Sequence, residues 1–495
     1  MNGSRVARPD AAGAPPVSGE LKRLALRGLL WSVVQSWGGK ALTFLLFLVL
    51  ARLLTPEQLG AAAAVMVVVS FLQILGEQGY GDALVQRQNL QPHEANLPFV
   101  VSIASACTLA LAVALGAPWI AGAMRAEDLA PYLAVAALGL PLSSLWMFQE
   151  AFYRRGLQYR YLAARLLVVT AFAGALAIAL AFAGWGTWSL VVQAVLAAGL
   201  SAAWMWRRPL WRPSRQFDRA SFGEIFAFSR SVTTYRVADF VSARAVELII
   251  ITLHGTAALG LYSVGSRIYQ TLMQLLSSSV MGVSLSALSR IAHDVDRLRA
   301  AYTKTLTIGS AVGTAVFVGV AAVASELTRT VFGERWADSA PVMQVLMLLG
   351  AVQCVQFMNG SVFNALGRPH YIALMTIAKA SVTLAALALV PAGSAYELAV
   401  VFAVCQLSIT PVTYWLVLRL LRMPVRSLLR HGAPFFVSAA VAFAGVQWLR
   451  ASGLLPPSPV LQLGLLSASY LGVYVVLAAL TGWGQLRAVA SYLAR

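Results

Sequence analysis

The chemistry-bearing residues of this 495-residue chain sit where charge is least welcome. The stretch from Ser229 to Thr252, SRSVTTYRVADFVSARAVELIIIT, has the length of a membrane-crossing helix. It nevertheless carries Arg236, Asp239, Arg244 and Glu247. A helix rises about 1.5 Å per residue, so about 20 residues cross the hydrocarbon. Each ionised side chain near the bilayer centre costs roughly 2.5–3.5 kcal/mol on insertion scales. Four facing lipid would cost on the order of 10 kcal/mol, so they must face water or opposite charge. At about 100° per residue, and relative to Arg236, Glu247 falls near about +20°, Arg244 near about +80° and Asp239 near about −60°. All four share one side of the helix, and the apolar remainder is free to meet lipid or neighbouring helices.

Four more ionisable residues lie inside apolar stretches. Lys40 is in the first, Glu77 near the end of the second, Arg267 in the eighth and Lys379 in the eleventh. Cations outnumber anions in this set, and excess buried positive charge suits an anionic substrate group. Arginine in particular can grip a phosphate through two parallel hydrogen bonds. Two readings stand side by side for the seventh helix. Arg236 with Asp239, and Arg244 with Glu247, are spaced i,i+3 and can neutralise one another, or they can line a transport cavity. Lys40, Arg267 and Lys379 have no such partner in their own helices. Glu77 can equally be a residue at a helix end. Gly309 and Gly313 form a small-residue motif suited to helix contact, and Trp119, Trp206 and Trp211 read as anchors at the membrane surface.

Composition frames these residues. The chain is 59% hydrophobic and 11% charged, with mean hydropathy +0.73. Soluble globular chains carry about 25% charged residues, so this is a polytopic all-α integral membrane protein. Its apolar runs are too long and unalternating for an outer-membrane barrel. The net charge of +18 sits in loops between apolar spans, not on a folded basic face, so no nucleic-acid partner is expected. Cys107, Cys354 and Cys405 all fall in apolar spans, without metal spacing, and the five histidines form no metal motif. There is no Gly-rich phosphate loop, and no catalytic constellation stands out.

The apolar pattern predicts fourteen spans, near 28–52, 58–84, 97–120, 129–150, 165–184, 187–206, 229–252, 257–284, 304–325, 339–366, 369–391, 396–418, 431–449 and 460–483. Residues 1–27 read as a disordered basic cytoplasmic tail. Spans one to six form a first lobe (28–206), and 207–228 is a basic, amphipathic cytoplasmic linker. Spans seven to twelve form a second lobe (229–418). The last two spans and a short cytoplasmic terminus fill 419–495. With both termini inside, the external loops hold only Arg52, Arg125, Arg329, Arg335 and Arg450 of the 37 Lys and Arg. That bias is the positive-inside signature. A shift of 200 residues lays LLTPEQLG (Leu53–Gly60) on LHGTAALG (Leu253–Gly260), and a shift of 212 lays RRGLQY (Arg154–Tyr159) on LGRPHY (Leu366–Tyr371). An even number of spans per repeat gives two lobes of the same orientation, related by an axis along the membrane normal, with a cavity between them.

The stretches ARLLTPEQLGAAAAVMVVVSFLQILGEQGYGDALVQR (Ala51–Arg87) and EAFYRRGLQYRYLA (Glu150–Ala163) resemble the polysaccharide-transport family of the multidrug/oligosaccharidyl-lipid/polysaccharide exporter superfamily. Within it the likeness is to Wzx-type flippases of the colanic-acid and exopolysaccharide branch. The resemblance implies a MATE-like, V-shaped protein of the bacterial inner membrane that works by alternating access. Its substrate would be undecaprenyl-diphosphate-linked oligosaccharide, moved from the cytoplasmic to the periplasmic leaflet. Polysaccharide polymerase and export machinery would be its working partners. On that reading Lys40, Arg236, Arg244, Arg267 and Lys379 attract the diphosphate and acidic sugars. Glu77, Asp239 or Glu247 carries a coupled proton or sodium ion, and no other cofactor is expected. The competing readings are a cation-coupled exporter of small drugs and a membrane-embedded glycan polymerase or ligase. The first calls for an acidic, aromatic site. The second is an enzyme and needs a larger external loop than any here.

Overall fold

The computed structural model describes residues 31, 34–290, 294–368, 370–390 and 393–493, and every regular element among them is helical. The first half holds α1 (Gly39–Leu53), α2 (Pro56–Glu77), the short α3 (Tyr80–Gln86), α4 (Asn96–Ala123), α5 (Ala130–Ala136), α6 (Gly139–Arg155), α7 (Tyr159–Phe182) and α8 (Thr187–Arg207). There follow α9 (Arg219–Arg290), α10 (Val295–Gly313), α11 (Gly319–Ala322), α12 (Ala324–Val331), α13 (Ser339–Gln353), α14 (Phe357–Ala365), α15 (His370–Leu389), α16 (Ala395–Ser408) and α17 (Thr410–Leu420). Two long helices, α18 (Val425–Ala451) and α19 (Pro459–Leu493), close the chain. The 1–27 tail lies outside the described residues.

Among the described residues thirteen stretches are long and apolar enough to cross a bilayer, where the sequence predicts fourteen. The difference lies in α9. The seventh and eighth predicted spans both fall within this 72-residue helix, and the part that passes on length and hydropathy is Ala243–Leu276. Arg236 and Asp239 lie in the leg before it. At Gly255 the backbone leaves helical geometry (φ 78°, ψ −173°), a conformation that a side chain would resist. The leg before Gly255 runs against α2, from Ser229 beside Gly79 to Thr256 beside Gly60. The leg after it heads back along α13, with Gly265 against Met343 and the Tyr269 hydroxyl donating to Gln353 Oε1.

The start of α2 shows why the LTPEQLG stretch is written as it is. Thr55 caps the helix: its hydroxyl accepts from the Gln58 N–H at 3.3 Å, and the Gln58 side chain accepts from the Thr55 N–H at 3.1 Å. Pro56 occupies the first turn, where a missing N–H costs nothing. Gly60 then permits a backbone crossing. A methyl group built on it would lie 1.8 Å from the Thr256 carbonyl oxygen, and one built on Gly260 would lie 2.0 Å from the Pro56 carbonyl oxygen. The contact is reciprocal, residue 56 with 260 and residue 256 with 60, and the 200-residue shift seen in the sequence carries 56 onto 256 and 60 onto 260. Two equivalent segments therefore cross at a local two-fold axis.

The same end of the molecule is tied elsewhere. The Arg52 guanidinium donates to the carbonyls of Val331 (2.8 Å) and Thr330 (2.5 Å), and the indole N–H of the buried Trp336 donates to Ala51 O (2.7 Å). Helices α18 and α19 pack on each other and on α10. Tyr470 donates to Thr314 O at 2.9 Å, and Arg450 pairs with Glu326 at 2.7 Å. Gly313 meets Cys354 and Gly309 meets Val355, so that small-residue motif is a helix contact.

In the largely exposed segment after α8 one residue departs from its expected role. Trp211 is buried, not a membrane anchor. Its ring stacks on Phe152 and packs against Phe99, its N–H donates to Pro92 O at 2.7 Å, and the Gln149 amide donates to its carbonyl at 2.6 Å. Phe222 and Ile225 at the start of α9 join the same cluster. The segment is thus fastened to the first half. Trp119, by contrast, is exposed, as an anchor should be.

Replacing Gly260 by Ala forces the crossing apart. Overpacking of this kind costs about 1–3 kcal/mol, so the detergent-solubilised Gly260→Ala protein should unfold at a lower temperature. Gly464→Ala, which meets open space, should not change the midpoint.

Candidate functional site

Two adjoining cavities open between the first-half helices and α9, one against its second leg and the other against both legs. One, of about 520 Å³, is lined by Lys40, Glu150, Arg154, Tyr159 and Arg267 among others. The other, of about 460 Å³, is lined by Leu50, Leu59, Gln193, Arg244, Glu247 and Arg267. Thr43, Arg267 and Gln270 border both, so the two form one continuous space. It runs from Arg154 and Tyr159, at the end where α6 and α7 join, towards Leu59 and the closed glycine crossing.

Each wall is set by local structure. Lys40 is in the first turn of α1, after the π-helical turn Val34–Gly38. Arg267, Gln270, Thr271 and Gln274 repeat at helical spacing on the second leg of α9 and line the larger cavity together. The Arg267 guanidinium lies over the Phe47 ring at 5.5 Å, which holds the head group against the cavity wall.

Pairing divides the charges. Arg244 donates to Glu247 at 2.5 Å, so one of the two readings of the seventh helix holds here, and the pair still borders the cavity. Glu150 accepts from Arg165 at 2.8 Å, and Arg165 stacks on Trp146. Arg154 reaches Asp82 at 3.5 Å. Among the described residues, Lys40 and Arg267 have no carboxylate within ion-pair distance. The cavity therefore keeps two uncompensated cations.

The remaining site candidates lie elsewhere. Arg236 does not pair with Asp239. It bonds Asp82 at 2.6 Å and stands 3.6 Å from Glu77, across the contact between α9 and the end of α2. Helix geometry explains the choice: Asp82, in the first turn of α3, faces α9 directly, whereas Asp239 points away and is exposed. Glu77 also accepts from Gln73 at 2.8 Å. Lys379 lines a separate cleft in the second half.

Sequence reasoning passed over Asp82, Glu150 and Arg154, because they sit near span ends where charge is unremarkable. The signal lay in the GYGD and EAFYRRGLQY stretches themselves. In the latter, Arg155 donates to the carbonyls of Leu84 (2.7 Å), Val85 (3.2 Å) and Arg87, closing the C-terminal end of α3. Arg87 bonds Glu94 at 2.7 Å and Glu224 at 2.8 Å, and these bonds raise its pKa further. Ser221 and its backbone N–H hold the Asp218 carboxyl below the usual range. The segment entering α9 is thereby clamped to the first half.

A membrane-embedded helical protein with two halves crossing at one end and a cationic cavity open towards the other has the architecture of a MATE-like transporter. Solved structures agree on the fold. The lipid II flippase MurJ in an inward closed conformation superposes with a TM-score of 0.72 at 12% identity, covering 91% of this chain and 98% of that one. An inward-facing multidrug resistance MATE family transporter of the MOP superfamily gives 0.61 at 14% identity, covering 77% and 94%. The profile of the polysaccharide biosynthesis protein family matches residues 49–341, and the chain belongs to that family. It is 25% identical over 465 residues to the succinoglycan biosynthesis transport protein ExoT of Rhizobium meliloti (strain 1021), covering 93% of this chain and 94% of that one. It is 21% identical over 354 residues to the lipopolysaccharide biosynthesis protein WzxC of Escherichia coli (strain K12), covering 70% and 71%.

A double-mutant cycle tests the Arg236–Asp82 contact. Arg236→Gln and Asp82→Asn should each destabilise the purified protein. The double variant should lose less than their sum, by about 0.5–3 kcal/mol of coupling. Strict additivity would dissolve the pair.

Proposed function

We propose that this chain is a flippase for lipid-linked oligosaccharide, and that its substrate carries the glycan on undecaprenyl diphosphate. The observation that carries this reading is the pair of uncompensated cations, Lys40 and Arg267, lining one cavity among hydrogen-bonding side chains. A diphosphate has the charge and the acceptor oxygens to satisfy both. Arg244, held by Glu247, and Arg154, near Asp82, flank them along the cavity. The relative named a succinoglycan biosynthesis transport protein points the same way. The competing drug-export reading draws on the apolar wall of Phe47, Leu50, Leu59 and Met66. It requires a cationic drug to enter a space with surplus positive charge, which Coulomb repulsion opposes.

The chain would act in the bacterial inner membrane with both termini cytoplasmic, so that the glycine crossing is its periplasmic side. The cavity then faces the leaflet where the lipid-linked unit is made. Proton or sodium coupling falls to the carboxylates. Glu247 is the best placed, because it borders the cavity and can exchange Arg244 for a bound cation. Glu77 sits at the Arg236 contact, and Asp239 touches neither. Polysaccharide polymerase and export machinery would receive the product.

Arg267→Ala should reduce polymer export at least tenfold while the protein level in the membrane stays normal, and Arg267→Lys should retain part of it. Undiminished export by the Ala variant would reject the assignment. For orientation, a Ser452→Cys variant should react with a membrane-impermeant maleimide in intact spheroplasts, and a Ser214→Cys variant only after permeabilisation.

A further inference from the structure

Lys379 belongs to neither part of the cavity above. It lines a cleft of about 250 Å³ in the second half, bounded by α13, α14, α15, α17 and the second leg of α9. Three amide side chains, Gln353, Gln356 and Asn359, stand three residues apart on one wall. The chain between α13 and α14 is a 3₁₀ turn, Cys354–Gln356. In that geometry side chains at i and i+3 eclipse, so the turn draws the amides towards one column. A regular α-helix would fan them out. A 3₁₀ turn within a long helix commonly marks a functional position.

Hydrogen bonds fix the column from behind. Tyr269 donates to Gln353 Oε1, the Gln356 amide donates to Thr410 at 2.9 Å, and Tyr302 donates to Asn359 Oδ1 at 3.0 Å. The amide nitrogen of Asn359 is left without a partner although the residue is 2% exposed. A buried donor without a partner costs about 1–3 kcal/mol, which a ligand oxygen would recover. Opposite, the Lys379 ammonium reaches Gln356 Oε1 at 3.5 Å. Among the described residues no carboxylate lines the cleft and Lys379 has no ion pair. Met273, Phe363, Ile372 and Met375 supply apolar surface beside the polar groups.

Fixed amides, an apolar platform and one free ammonium match a sugar ring that bears a carboxylate. The amides meet its hydroxyls, the apolar side chains meet its C–H face, and Lys379 meets the acid. We propose that this cleft is a glycan subsite selective for an acidic sugar, distinct from the cationic cavity that takes the diphosphate. It rests on the reading of the chain as a transporter of lipid-linked glycan. A diphosphate fits the cleft less well, because one ammonium faces it and no guanidinium does.

The test uses purified full-length protein with exposed Cys107 replaced by Ser; Cys354 and Cys405 are buried. Into this background go Thr376→Cys, on the cleft, and Thr43→Cys, on the cavity. Maleimide labelling is timed with a glucuronate-bearing disaccharide, its neutral glucose counterpart, or inorganic pyrophosphate. The acidic disaccharide should slow labelling of the Thr376→Cys variant severalfold, and the neutral one should not. Adding Lys379→Ala should abolish that protection, and Lys379→Arg should restore it. The proposal is overturned if the acidic disaccharide protects neither position, protects both equally, or still protects after Lys379→Ala. Pyrophosphate should protect the Thr43→Cys variant. If it does not while the sugar result holds, the diphosphate reading of the cavity fails and the subsite stands.

Discussion

A guanidinium or ammonium group inside a membrane must be given water, a carboxylate or a ligand, and the architecture follows from how this chain does so. Arg244 and Arg236 take carboxylates, Glu247 in the same helix and Asp82 across the contact between halves. Lys40 and Arg267 take open space. Three helices of the first half and one leg of α9 must stand apart to leave that space, which closer packing would abolish. The separation is therefore as much a requirement of the charge as a feature of the fold.

Standing apart in one place requires contact in another. The contact is the backbone crossing of Pro56–Gly60 with Thr256–Gly260. Its reciprocity matters mechanically. Two equivalent segments meeting at a local two-fold axis make a point about which the halves can rock without either losing its partner more than the other. At the opposite end the ties are ionic and hydrogen-bonded: Arg236 to Asp82, Arg87 to Glu224, and Ser221 to Glu94. These polar ties can exchange with water, whereas a dry backbone crossing cannot. Such a difference makes the polar end the easier of the two to part.

Much of this was legible in the sequence for a physical reason. Hydropathy reports which residues can meet lipid, so the spans, the charged helix and the apolar position of Lys40, Arg267 and Lys379 could be read directly. The 200-residue echo of LLTPEQLG in LHGTAALG identified Gly60 and Gly260 as equivalents before their contact was visible. What hydropathy does not encode is which charge meets which. Asp82 outcompetes Asp239 for Arg236 because α3 turns it towards α9, a consequence of the Gly79 bend and not of spacing within one helix. Trp211 is likewise an anchor by position and a core residue by packing, since Phe99, Phe152 and Pro92 enclose it. The seventh and eighth predicted spans fall in one 72-residue helix broken at Gly255, of which a single stretch passes on length and hydropathy, so the count of fourteen is not confirmed.

The size of the space bears on what passes through it. The two connected parts, about 520 and 460 Å³, fall in the range of pockets that enclose a drug-sized ligand. That suffices for a diphosphate and the first sugars attached to it, but not for a polymer or for the whole of a long polyprenyl tail. The tail has no need of enclosure, since hydrocarbon outside the protein solvates it without cost. Only the charged and hydroxylated part of such a lipid needs shielding during the crossing, and cations and amides are what line the cavity and the cleft. A space of this size suits a single lipid-linked unit and not an assembled polymer.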